Sequence, residues 1–208
     1  MIKNILRIKY ANSFLPENAI FPNGAEGKKR YIDFFIYLIE TENRKILIDA
    51  GCRTMPGFDM KNFIGPVKAL ASIGASAQSI TDVIITHAHH DHIEAAECFK
   101  NAVFYIQAQE YEYGRDYLKG LKTVLFEEKY DLTQDIKIIK LGGHSIGSSI
   151  VEARFENQTY IFAGDECYLK ECLERSIPTA SSYCPEKSLY FIKKYSKMCN
   201  RVYLSHSI

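Results

Sequence analysis

The sequence predicts one α/β layered domain over residues 1–208. Three observations carry that expectation: a length of 208 residues that suits one core, β-rich runs with helical stretches interleaved, and no internal repeat or linker-like composition shift. At this size folding buries roughly 70% of the surface an unfolded chain exposes. Neither disulfides nor a structural metal are needed to hold the chain together, so a metal found here serves chemistry.

The elements follow in order along the chain. Residues 5–10, 31–39 and 45–49 read as strands, because β-branched and aromatic residues dominate them, and Asn43 with Arg44 supplies the turn between the last two. Residues 12–27 read as a loop whose Phe14 and Phe21 either cover a pocket or make a dimer contact, and the oligomeric state stays open. Residues 60–73 read as a helix that Pro66 starts or kinks and Gly74 ends. Residues 82–86 (DVIIT) are a short apolar run of buried-strand type. Strands follow at 103–107, 136–141, 149–155 and 159–163, the last two joined at Asn157 and Gln158. Residues 186–198 form an amphipathic helix whose apolar stripe packs on the core, and 201–204 form a final strand.

Charge and composition exclude several functions. The 26 Lys and Arg balance 25 Asp and Glu, net +1, and no run of like charges marks a nucleic-acid arm. Lys3, Arg7 and Lys9 interrupt the first apolar residues, so no signal peptide is expected. No apolar stretch reaches the roughly 20 residues a membrane helix needs. Cys52, Cys98, Cys167, Cys172, Cys184 and Cys199 form no CxxC pair and read as reduced thiols, which predicts a cytoplasmic protein. Gly142 and Gly147 have phosphate-loop spacing, but Ser148 stands where that motif requires Lys.

The chemistry is concentrated in histidine. Four of the six, His87, His89, His90 and His92, fall within HAHHDH directly after the run DVIIT. At the chain's own histidine frequency a six-residue window holds about 0.17 of them, so the cluster needs a cause, and metal binding supplies one. A polar loop or satisfied core histidines are the plainer reading. His144 (LGGHSIG), Asp165 (YIFAGDECY) and His206 (YLSHSI) each follow an apolar run, so all sit just past strand ends that converge on one rim of a sheet. Five histidines and two aspartates exceed the three protein ligands of a single catalytic zinc and suit two ions.

This arrangement resembles the metallo-β-lactamase superfamily. ILIDAG at 46–51, THAHHDH at 86–92, GGHSIG at 142–147, GD at 164–165 and SH at 205–206 are similar to its five motifs in order. The resemblance implies a four-layer αββα sandwich with the site on one edge. It implies that His87, His89 and His144 hold one divalent ion, that Asp91, His92 and His206 hold a second, and that Asp165 bridges them. The ions are expected to be Zn2+, with iron, manganese or cobalt also compatible with these ligands. Asp49 either braces the ligand loop or simply serves a turn.

Within the superfamily the sequence looks most like the N-acyl homoserine lactonases. Tyr168 follows Asp165 by three residues (DECY), the offset at which those enzymes carry a tyrosine facing the substrate carbonyl; the alternative is a packing role in a chain with 14 tyrosines. The implied activity is hydrolysis of a small carbonyl ester, preferably a lactone, by a hydroxide shared between the ions, with Asp91 and Tyr168 as catalytic residues. A glyoxalase-II-like thioesterase is the alternative hydrolase, and an iron-binding redox or sensor protein the alternative of another class. Diiron redox members replace a motif histidine by Glu, whereas all are kept here. The chain departs from the lactonase pattern in IEAA at 93–96, in His90 where relatives carry a bulky apolar residue, and in a short segment after His206. His90 is therefore read as a rim residue, a long acyl chain is disfavoured, and fraying near His206 is expected to weaken the second ion.

Overall fold

The computed structural model describes residues 1–207, apart from the side chains of Cys199 and Asn200. Its elements are β1 (Ile2–Pro16), α1 (Glu17–Ile20), β2 (Lys29–Thr41), β3 (Lys45–Ile48), β4 (Met60–Lys61), α2 (Pro66–Ser72), β5 (Asp82–Ile84), α3 (His90–Ile93), β6 (Val103–Gln107) and α4 (Ala108–Gly114). They continue as β7 (Lys122–Phe126), β8 (Lys129–Thr133), β9 (Ile136–Lys140), β10 (Ser149–Phe155), β11 (Gln158–Phe162), α5 (Lys170–Arg175), α6 (Pro185–Tyr195), β12 (Val202–Tyr203) and β13 (His206–Ser207). One sheet runs β4-β1-β2-β3-β5-β6-β7 with β13 added beside β2, and the other runs β12-β11-β10-β9-β8.

Period-2 alternation explains how the sheets pack. Ile46 and Ile48 of β3 and Ile84 of β5 join Val151, Ala153 and Phe162 of the second sheet in one buried cluster, while Leu47 and Val83 point to the opposite face. The outer faces are covered by helices: Ala69 and Leu70 of α2 over the first sheet, Phe191 and Ile192 of α6 against Ile150 and Ile161 of the second. Two sheets face each other with helices outside, the layering expected from the resemblance. Among the described residues no helix is long and apolar enough to cross a membrane.

Several boundaries differ from expectation, each for a nonlocal reason. Residues 12–16 are strand, not loop, because β1 stays paired with β2 as far as Pro16 opposite Lys29. The helix expected over 60–73 is confined to α2: Met60 and Lys61 pair with Ser13 and Asn12, and Ile64 N donates to Tyr10 O at 3.0 Å, so this stretch is drawn onto the sheet edge. Pro66 then opens the helix, where its missing N–H costs nothing. β5 ends at Ile84 instead of Thr86, because the Thr86 amide leaves the ladder for the Asp49 carboxylate at 2.8 Å. The β10–β11 turn is Glu156–Asn157, both at positive φ (49° and 61°), with Phe155 opposite Gln158. α6 stops at Tyr195, and a tight helical turn over Ser196–Arg201 follows.

Phe21 is buried and Phe14 is 54% exposed, stacked edge-on against Tyr31, so neither covers the site. The cysteines with described side chains, Cys52, Cys98, Cys167, Cys172 and Cys184, are free thiols. Cys199 lies outside the described side chains.

Candidate metal centre

The strand ends gather on one rim. Asp49 follows β3, His87 to His92 follow β5, His144 lies between β9 and β10, Asp165 follows β11, and His206 opens β13. Gly164 at φ 53° gives the turn that carries Asp165, and a Cβ there would sit 2.9 Å from Thr86 Oγ1. The segment at His206 is not frayed. His206 pairs with Phe34 of β2, Phe35 N donates to Ser205 O at 3.0 Å, and the Tyr37 hydroxyl donates to Leu204 O.

All seven expected ligand residues come together, in two groups. His87, His89, His144 and Asp165 form one, and Asp91, His92 and His206 the other. In the first, His89 Nδ1 lies 3.1 Å from His87 Nε2 and 3.0 Å from His144 Nε2, while Asp165 Oδ2 is 3.7 and 3.6 Å from the same two nitrogens. A tetrahedron with its vertices 2.0–2.1 Å from the centre, as for Zn–N bonds, has edges of about 3.3–3.4 Å. The observed spacings bracket that value.

The second group lies against the other carboxylate oxygen. Asp165 Oδ1 is 3.2 Å from both His92 Nε2 and His206 Nε2, and these lie 3.7 and 3.5 Å from Asp91 Oδ2. His92 Nε2 and Asp165 Oδ1 are buried without a hydrogen-bond partner. Buried polar atoms left this way are costly, and a cation between the groups satisfies them. The donor set therefore fits divalent metal.

Charge states agree with that fit. Burial, and then the neighbouring His92, hold His87 well below the usual imidazole range, and burial lowers His144 to about 4. Both are neutral imidazoles at pH 7. Burial opposes ionisation of Asp165, but the neighbouring His206 and His92 outweigh it and keep the carboxyl well below its ordinary value. For His92 burial disfavours the imidazolium, yet Asp165, Asp49 and Asp91 hold it well above the ordinary value, so with no cation present a proton occupies this corner.

Bracing contacts fix the ligand orientations. His92 Nδ1 donates to Asp49 Oδ2 at 2.7 Å, so Nε2, towards Asp165, is the nitrogen left to give its lone pair to a cation once its proton is displaced. The same Asp49 accepts from Thr86 N at 2.8 Å and Thr86 Oγ1 at 3.0 Å, and stands at φ 59°. It is both brace and turn residue. Two further contacts escaped sequence reading. The Tyr10 hydroxyl donates to Asp91 O at 2.9 Å. Buried Glu166 accepts from Gly143 N at 3.2 Å, from Ser188 Oγ at 3.1 Å and from the Ser148 hydroxyl, and so holds the His144 turn from below. Its adjacency to Asp165 was the available signal; for Tyr10 there was none.

A pocket of about 310 Å³ opens onto both groups. Leu15, Phe34, Pro56 and Phe58 line it with apolar surface beside His89, Asp91, Asp165, Tyr168 and His206, the Phe34 ring 4.5 Å from that of His206. Residues 12–27 thus reach the pocket through Leu15. His90 is on the rim and in neither ligand group, with Nε2 3.1 Å from Thr54 Oγ1. The Tyr168 ring is 5.8 Å from that of His144 and 5.4 Å from that of His206, and its hydroxyl lies 2.9 Å from Ser181 Oγ. Burial, with the charge of Asp165, holds the phenol well above its usual range, so it stays a hydrogen-bond donor.

Residues 35–183 match the model of the metallo-beta-lactamase superfamily, and the chain belongs to that superfamily. A probable metallo-hydrolase of Methanocaldococcus jannaschii is 32% identical over 148 residues, 71% of this chain and 66% of that relative's length. An N-acyl homoserine lactonase of Bacillus thuringiensis is 24% identical over 240 residues, covering 100% of this chain and 94% of its own. Among solved structures, a quorum-quenching N-acyl homoserine lactone lactonase has the same fold, with a TM-score of 0.86 at 23% identity over 100% of this chain and 93% of the other.

Proposed function

We propose that residues 1–208 form one hydrolase domain that opens a small carbonyl ester, preferably a lactone, at a centre of two divalent ions, zinc foremost. His87, His89 and His144 would hold one ion and Asp91, His92 and His206 the other, with Asp165 between the two groups. The observation that carries the reading is Tyr168, which lines the pocket and whose ring lies within 6 Å of a histidine from each group. The names of the relatives support the substrate class.

Bound ions acidify a water towards neutral pH and polarise the substrate carbonyl. The chain's own residues do the rest. Leu15, Phe34, Pro56 and Phe58 bind the acyl part and exclude water. Tyr168 donates its O–H to the oxyanion that forms when the carbonyl is attacked. Asp91 takes the proton from the attacking water and returns it to the ring oxygen as the C–O bond breaks. Asp91→Asn is expected to lower turnover by several orders of magnitude, and an active variant refutes that role. Among the described residues the pocket lining holds no Lys or Arg to receive the carboxylates of a glutathione thioester, which favours the lactone.

The test is hydrolysis by zinc-loaded protein, followed with a pH indicator, on short and long acyl homoserine lactones beside S-lactoylglutathione. Lactone turnover that falls with acyl length, with the thioester inert, is expected. Thioester turnover with inert lactones overturns the substrate class.

A further inference from the structure

Glu110 lies on α4, outside both ligand-bearing turns, with only 2% of its surface exposed. Its carboxylate nevertheless accepts three hydrogen bonds, all from those turns. Oε2 accepts from the amide of Ala88, between His87 and His89, at 2.8 Å. Oε1 accepts from the Gly147 amide at 2.8 Å and the Ser145 hydroxyl at 2.7 Å, in the turn that carries His144. The carboxylate is itself held in place. The Gln107 side-chain carbonyl caps α4 by accepting from Gln109 N at 2.6 Å and Glu110 N at 3.3 Å, and its amide donates to Glu127 O at 3.1 Å. Contact between α4 and both turns is close: a Cβ on Gly114 would sit 3.2 Å from Ala88 Cβ, and one on Gly147 would sit 3.0 Å from Glu110 Cγ.

The geometry points to Glu110 as a positioning residue for the first ligand group, a clamp whose two oxygens set the spacing between the His87–His89 turn and the His144 turn. The inference rests on the metal-centre reading above. Each turn takes one oxygen, so the 3.0–3.1 Å convergence of three imidazole nitrogens depends on a residue that touches none of them. The second group is braced independently, by Asp49 on His92, Tyr10 on Asp91 and the pairing of β13 with β2 at His206. None of these contacts passes through Glu110. Only a carboxylate meets all three donors. In Gln one oxygen becomes an NH2 that faces a backbone N–H and leaves one turn's buried amide unpaired.

The experiment is a zinc titration of full-length Glu110→Gln and wild type in competition with a chelator, followed by the imidazole 15N signals of each histidine. The affinity of the His87, His89 and His144 group should fall about 10- to 100-fold while that of the His92 and His206 group is unchanged. A variant whose two groups fill as in wild type, or weaken equally, overturns the assignment. Ser145→Ala removes one of the three bonds without stranding a backbone amide, and should weaken the same group to a smaller extent. If Glu110→Gln does not fold, Ser145→Ala decides, and unchanged affinity there overturns the proposal. A wild type that takes up no zinc refutes the metal-centre reading itself, which separates the two failures.

Discussion

Replacing Asp49 with Asn tests how a buried carboxylate controls a ligand it orients. Asn fits the space and tolerates φ 59°, so the loop conformation survives. What changes is the hydrogen-bond polarity around three donors: Thr86 N at 2.8 Å, Thr86 Oγ1 at 3.0 Å and His92 Nδ1 at 2.7 Å. The Asn carbonyl keeps the Thr86 amide, and its NH2 replaces the oxygen that served Thr86 Oγ1 and His92. The threonine hydroxyl rotates to accept. His92 can only accept by moving its proton from Nδ1 to Nε2, the nitrogen that faces Asp165 Oδ1 at 3.2 Å. The ligand then presents N–H where a lone pair is needed. Losing a charge-assisted hydrogen bond of this kind costs about 1.5–3 kcal/mol, or roughly 10- to 100-fold in ion affinity. The loss should fall on the Asp91, His92 and His206 group. Zinc titration reads the affinity, and the imidazole 15N spectrum of His92 in zinc-loaded protein reads which ring nitrogen carries the proton. Two sites of wild-type affinity, with the proton still on Nδ1, would refute the reasoning.

Other perturbations have equally definite outcomes. Tyr168→Phe should lower kcat by roughly 10- to 1,000-fold with metal content unchanged, and an unchanged rate returns Tyr168 to a packing role. In Gly143→Ala the new Cβ would overlap Glu166 Oε2 and meet the Ser188 backbone nitrogen at 2.8 Å. It should destabilise by about 1–3 kcal/mol in urea melts and displace the His144 turn. Removing the ions with a chelator should lower the thermal midpoint. At zinc 100-fold above Kd each site contributes about 2.7 kcal/mol, and a chain of this size shifts roughly 2–4 °C per kcal/mol.

The sequence was most legible where chemistry is concentrated at strand ends. HAHHDH, His144, Asp165 and His206 each follow an apolar run, and the fold needs only to bring those ends to one rim. The bracing residues were illegible because their partners are far away in sequence: Tyr10 reaches Asp91, and Glu110 reaches both Ala88 and Gly147. The same holds for the fold. β4 and the extension of β1 to Pro16 exist through cross-strand pairing that overrides the local preferences of Asn12, Ser13 and the 60–64 stretch. β7 and β8 are mostly exposed or half-buried, with Phe126 buried, so their alternation is weak in the sequence.

The central claim is that Asp165 stands between two ions, one per histidine group. Anomalous diffraction at the zinc edge from zinc-loaded crystals tests it most directly. The account predicts two peaks about 3.5–4 Å apart, one against His87, His89 and His144 and one against Asp91, His92 and His206, with Asp165 contacting both. A single peak at full occupancy, or two peaks with Asp165 bound to only one, would contradict it.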